Sequence, residues 1–266
     1  MTADDSGKKS WRTGCGYVVF SLIFFLLVAG LVALRPVREA KRVEEQLNSR
    51  FGVASGFTPN PDGSVMPGRM VAFLTIREQL EQECDGFRDR QAQLDRLGRS
   101  EATGDMEAHD LLEGIKAAFG GGSGFFRLVR TRNRALTEAG MGIGEYCYIF
   151  TAAYNRQLSA FIEGPDAVEP FKTRTRNELT RILRNQLAVL EMSRHAAEHE
   201  ALVVDLRGEI SALETGAHSI PWQDGLPSDL EASVEPFRAR LDELFCEPAV
   251  RFELRQKNQH PSGLGR

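Results

Sequence analysis

Four cysteines in 266 residues are too few and too scattered for the dense disulfide framework of a small secreted domain. Cys15, Cys84, Cys147 and Cys246 contain no Cys-x-x-Cys pair that could complete a metal site. Cys84, Cys147 and Cys246 are therefore expected as three buried apolar thiols; outside the cytoplasm one pair could bond and leave one free. Lysine is also scarce, six against 27 arginines, a bias that goes with a GC-rich bacterial genome and carries no physical argument. Beyond residue 34 the chain holds 30 Lys and Arg against 35 Asp and Glu, a net charge of −5. That is too mild for nucleic-acid binding or bulk membrane adsorption. No aromatic residues interleave the bases at a single-strand spacing, so nucleic acid is not an expected partner.

Recognisable chemistry is missing as well. Gly120-Gly121-Gly122-Ser123-Gly124 is the nearest approach to a phosphate-cradling loop, but no Lys-Ser/Thr comes after it and no strand precedes it. A flexible joint is the better reading. No nucleophile–base pair or second carboxylate is placed by spacing, and no cofactor is expected. There is no internal repeat and no low-complexity tail.

One long apolar run is present. Tyr17 to Leu34 is eighteen residues without a charge, and at about 1.5 Å per residue it reaches roughly 27 Å, close to the ~30 Å of a bilayer core. Lys8, Lys9 and Arg12 lie before it; Arg35, Arg38, Lys41 and Arg42 lie after it. The run exceeds the apolar core of a cleaved signal peptide, and no small-x-small site ends it. Cys15 lies before the run, so the lipoprotein signal is absent. The run predicts an uncleaved anchor in the lipid bilayer through residues 17–34. Five bases between residues 35 and 50 against three before the span, counted literally, place the domain in the cytoplasm. An N-terminal anchor ordinarily keeps its short basic end inside and exports the rest of the chain, and a periplasmic or extracytoplasmic domain is the favoured expectation.

Helical periodicity dominates the remainder. The chain reads as mainly α: an N-terminal transmembrane helix and then an elongated helical bundle or helical-hairpin domain, with at most one short strand near the C-terminus. The segments are a basic tail (1–16), the anchor (17–34), a juxtamembrane helix and loop (35–66), the helical domain (67–254) and a disordered tail (255–266). Met70, Phe73, Arg77, Leu80, Cys84, Phe87, Gln91 and Leu94 step by threes and fours, the seam of a coiled-coil-like face. Met141 to Tyr154 carries one charge, Glu145, and such a helix belongs at the centre of a bundle. A single helix is predicted over 166–215, with a stripe through Leu179, Leu183, Leu187, Leu190, Ala197, Ala201 and Val204. Pro236 must kink or divide the last helix, about 228–246. Val250, Phe252 and Leu254 alternate as a strand would.

These placements define the candidate sites. Glu191, His195 and His199 are spaced to rise on one helix face, where His at i and i+4 can chelate a transition metal, although the phase of the stripe turns both histidines away from the apolar side. Glu145 and Arg77, each alone among apolar neighbours, are expected to pair, with Arg69 or Arg130 as substitutes, because an unpaired buried ion is very costly. Tyr146, Phe150 and Tyr154 read as core packing. Trp222, in a loop bounded by Pro and Gly, is a candidate recognition residue. Arg174, Arg176, Arg181 and Arg184 form a basic face fit for anionic headgroups or an acidic partner. Together these point to a non-enzymatic, membrane-anchored scaffold with a protein partner or a homo-oligomeric state. The alternative is a tethered ligand or metal binder using the His195/His199 face or a Glu145/Arg77 pocket.

Overall fold

The computed structural model describes residues 38–39, 41–103, 124, 127–162, 169–192, 199–247 and 249–250. They form a bundle-like array that is 79% helical with no strand. The apolar run 17–34, Cys15 and the tail 255–266 lie outside the described residues. Within them, no helix is long and apolar enough to cross a membrane.

Helix α1 covers 41–51, with 38–39 also helical. A loop with a single 3-10 turn, Ala54–Gly56, leads to α2, Pro67–Thr103. Proline at the first helical position costs no hydrogen bond, since that N–H has no intrahelical acceptor anyway. After α3 (127–138) come α4 (Ile143–Ala153) and α5 (Asn155–Ile162). Next are α6 (Glu169–Met192), α7 (Glu200–Thr215), α8 (Ser228–Val234) and α9 (Arg238–Glu243). The 3-10 turn Glu235–Phe237, holding Pro236, divides α8 from α9, because proline lacks the N–H that a continuing helix needs.

The seam on α2 faces inward: Met70, Phe73, Arg77, Leu80, Cys84 and Phe87 are all buried. The side chains of Gln91 and Leu94 lie outside the described residues. Helix α4 is the hub and touches α2, α5, α6, α8 and the first 3-10 turn. Every residue of α4 except Glu145 is buried, as its apolar periphery requires. Tyr146, Phe150 and Tyr154 stack along it beside Phe73, with ring centroids 5.0 to 6.5 Å apart.

Close approach of the 3-10 turn to α4 requires a glycine. A Cβ on Gly144 would overlap the Ala54 carbonyl oxygen and stand 2.5 Å from Phe57 Cβ. Gly144→Ala must push the turn off the hub, and an overpacking cost of about 1–3 kcal/mol is expected. Urea unfolding checks this; a variant as stable as the parent would mean that the turn docks elsewhere.

Three expectations are corrected. The single helix over 166–215 is a hairpin. Arg184 bonds Glu214 at 2.5 Å and Arg207 bonds Glu191 at 2.6 Å, so the chain reverses near residue 199. The predicted stripe holds on α6, where Leu179, Leu183 and Leu190 are buried, but fails on α7. There Ala201 and Val204 are exposed and Leu206, Ile210 and Leu213 face inward, because a reversal resets the helical phase. Val250 is helical rather than extended; Phe252 and Leu254 lie outside the described residues. Finally, Cys84 and Cys246 are joined in a disulfide across 162 residues, with Cα atoms 5.8 Å apart, while Cys147 is a buried thiol outside that bond.

Helix α1 packs on the domain through Leu47, which is buried. Burial raises the Glu44 carboxyl above its ordinary value, opposed by the Arg132 guanidinium. A raised acid is penalised once it ionises, so its stabilising effect exists below the ordinary value of 4.5 and is lost as pH rises. Glu44→Gln is expected to raise the melting temperature at pH 7–8 and to be neutral at pH 4, as thermal scans at the two pH values would show.

Candidate functional site

Polar groups converge around α4. Glu145, in its first turn, lies 19% exposed beside α2. Both its oxygens accept from Arg69: Nε at 2.5 Å and Nη2 at 2.6 Å, with Nη2 also donating to the Gly140 carbonyl at 3.2 Å. Donating to Glu145 raises the Arg69 guanidinium further above its ordinary value, so the arginine stays charged. The fork-on-carboxylate geometry is the strong form of an ion pair. Arg69 thus holds the place for which Arg77 was the first expectation, and Arg130 instead bonds Glu39 at 3.2 Å.

Arg77 lies two helical turns along α2, buried to 1% exposure. It donates to the Tyr146 hydroxyl at 3.0 Å and to the Leu244 carbonyl at 3.1 Å. Its guanidinium carbon sits 5.1 Å from the Phe150 ring centroid and 5.4 Å from that of Tyr154, within reach of a cation–π contact. Glu145 and Arg77 therefore belong to two separate arrangements rather than to one shared pocket. The aromatic stripe that sequence assigns to packing also forms the cage of this cation.

A second polar set ties loop 52–66 to α4 and α6. Tyr148 donates to the Gly63 carbonyl at 2.8 Å, and burial raises its phenol far above the ordinary range, so it remains a neutral donor. Asn185 Nδ2 donates to the carbonyls of Ser55 (2.9 Å) and Phe57 (2.8 Å), and Gln186 Nε2 to that of Pro61 (3.2 Å). Gly63 has φ +77, and a Cβ there would meet Gln186 Nε2 at 3.2 Å and the Tyr148 hydroxyl at 3.3 Å. Sequence reasoning missed Tyr148, Asn185 and Gln186. An Asn-Gln pair inside an apolar helical stripe was the available signal, since buried amides must find backbone partners.

Trp222 is not the exposed anchor its loop suggested. It is 3% exposed, with its ring edge-on to Tyr148 at 5.6 Å. Its φ of +62 is a left-handed conformation costing roughly 1–2 kcal/mol for an L-residue. The surroundings hold it there: its N–H donates to Glu209 Oε2 at 3.0 Å and its carbonyl accepts from Asn155 Nδ2 at 3.4 Å. Trp222 locks the loop after α7 rather than offering a contact.

The metal-like spacing loses its shared face. Glu191 lies near the end of α6 and accepts from Arg207; His199 precedes α7 across the reversal, and His195 lies outside the described residues. Among the described residues no three His, Cys, Asp or Glu gather as a metal site would. Within the basic face, Arg184 is paired with Glu214, Arg181 is exposed, Arg176 is half-buried, and the Arg174 side chain lies outside the described residues.

An open cleft of about 560 Å³ runs between α2 and α3, lined by Gln79, Arg130, Thr131, Arg134 and Glu138. Arg134 bonds Glu138 at 2.8 Å, so the cleft's charges are already opposed in pairs. It offers hydrogen bonds and a weak field, and it is open rather than enclosing. Comparison with protein-family models, curated proteins and solved structures finds no match.

Proposed function

We propose that the chain is a non-enzymatic, single-pass protein of the bacterial envelope, anchored through residues 17–34. Its helical domain lies on the extracytoplasmic side and works by binding a protein partner or a second copy of itself. The observation that carries the reading is the Cys84–Cys246 disulfide. Such bonds persist in oxidising compartments and are rare in the cytosol, which weighs for export against the literal count of basic residues. Interaction rather than catalysis is supported by where the distinctive side chains are used. Arg69, Arg77, Glu145, Tyr148, Glu191 and Trp222 are each engaged in holding elements together, and the cleft between α2 and α3 is open.

The test is purification of the tagged full-length protein from native membranes in mild detergent, with quantitative mass spectrometry and elemental analysis. A stoichiometric partner or a homo-oligomer is expected. A lone monomer carrying near-stoichiometric metal or a small molecule would sink the proposal. Thiol labelling of intact spheroplasts with a membrane-impermeant reagent tests the side: Cys84 and Cys246 should label only after reduction and denaturation from outside.

A further inference from the structure

Helices α1, α2 and α3 lie side by side along one axis, with α2 reversed. Glu39 of the helical segment leading into α1 meets Arg130 at 3.2 Å, and Phe51 at the end of α1 lies against Gly142 just past α3. Helices α1 and α3 therefore run in parallel. Helix α2 runs against α3: Arg69 reaches the Gly140 carbonyl, while fourteen residues later Glu83 takes Arg127 at 2.6 Å and Thr131 at 3.4 Å. Glu83 thus stands level with Glu39, and from there α2 continues to Thr103, past the start of α1 and toward the end at which the anchor must join. Those last twenty residues span about 30 Å.

That overhang restricts how the domain can meet a bilayer. Between Asp85 and Glu101 it carries eight charged residues, too costly for a hydrocarbon core. Yet the apolar run ends at Leu34, only four residues before Arg38, a reach of roughly 14 Å when fully extended. Were the helices upright on the membrane, about 16 Å of the overhang would sit in lipid. The axes must instead lie within roughly 30° of the membrane plane.

We infer that the domain lies flat on the bilayer, with the outward face of α1 and the segment before it against anionic lipid headgroups. It rests on the anchor proposed above. Leu47 points into the domain, and Arg38, Lys41, Arg42 and Ser49 are exposed on the other side. Lys41 shares its charge with Glu45 at 3.6 Å; Arg38 and Arg42 add two further positive charges to the same face. A basic stretch immediately after a span is attracted to a negative surface; the short tether keeps the domain against the bilayer, and these charges select which of its faces turns down.

Full-length protein carrying Cys15→Ser and a fluorophore at Ser49→Cys, reconstituted in nanodiscs, tests this with headgroup-attached quenchers. In bilayers containing phosphatidylglycerol the probe should lose most of its emission. The quenching should fall several-fold in pure phosphatidylcholine, and likewise with Arg38→Glu and Arg42→Glu, which leave insertion intact. A probe that stays unquenched on an inserted protein, because a partner or solvent covers α1, overturns the flat arrangement while the anchor stands. A protein that fails to enter nanodiscs overturns both, and sedimentation of the reconstituted sample tells the two failures apart.

Discussion

Cys84→Ala combined with Cys246→Ala should lower the unfolding free energy by about 3–5 kcal/mol. The bond closes 162 residues of chain, and the loss of unfolded-state entropy for a loop of that size comes to roughly 5 kcal/mol, with measured disulfides more often giving 2–4. Both cysteines are buried, so alanine adds no polar group and the change is read against the unfolded chain. In a domain of this size the melting temperature should fall by roughly 6–20 °C. Urea unfolding of the oxidised and reduced parent checks the same quantity without mutation. Equal midpoints in the two states would mean that the bond contributes nothing. Cys147→Ala is the control: it removes a buried thiol that closes no loop, and reductant should affect that variant as it affects the parent.

Arg77→Ala is expected to cost about 3–5 kcal/mol, the range for truncating a large, fully buried side chain, with the donors to two buried oxygens lost as well. The substitution takes a donor from the Leu244 carbonyl and from the Tyr146 hydroxyl and empties the space beside Phe150 and Tyr154. Arg77→Met separates the contributions. It refills much of the volume but donates nothing, so a stability near the alanine value assigns the effect to hydrogen bonding and charge, and recovery toward the parent assigns it to packing. A loss below about 0.5 kcal/mol for alanine, the level of an ordinary surface change, would show that the cation is not integral to the core. Arg77 and the disulfide both tie residues 244–246 to α2, with Arg88 adding a bond to the Phe245 carbonyl at 2.9 Å. Their losses should therefore be less than additive when combined, since contacting elements share the same local unfolding.

The inward set of α2 is legible in the sequence because a step of threes and fours is a property of one continuous helix. The centrality of α4 is legible for a related reason: a segment apolar on every side has no solvent-facing solution. Extending a stripe across residues 193–199 fails because periodicity carries no information about where a helix reverses. The same gap misplaces Val204, drawn inside but exposed, and His199, given a shared face with Glu191 that the turn removes. Trp222 is misread because a Pro- and Gly-bounded loop has the same composition whether it covers a core or projects from one.

By itself, the sequence determined that this chain is mainly helical, that one face of α2 and nearly all of α4 must be buried, and that Glu145 needs a cationic partner. Those are local consequences of helical geometry and of the cost of burying charge. Only the tertiary structure decided that the partner is Arg69, that Arg77 is held by aromatic rings and a carbonyl, and that Cys84 meets Cys246. Each of those choices joins residues tens to more than a hundred positions apart. Which distant groups meet depends on how the helices cross, and side-chain spacing along one helix does not encode that.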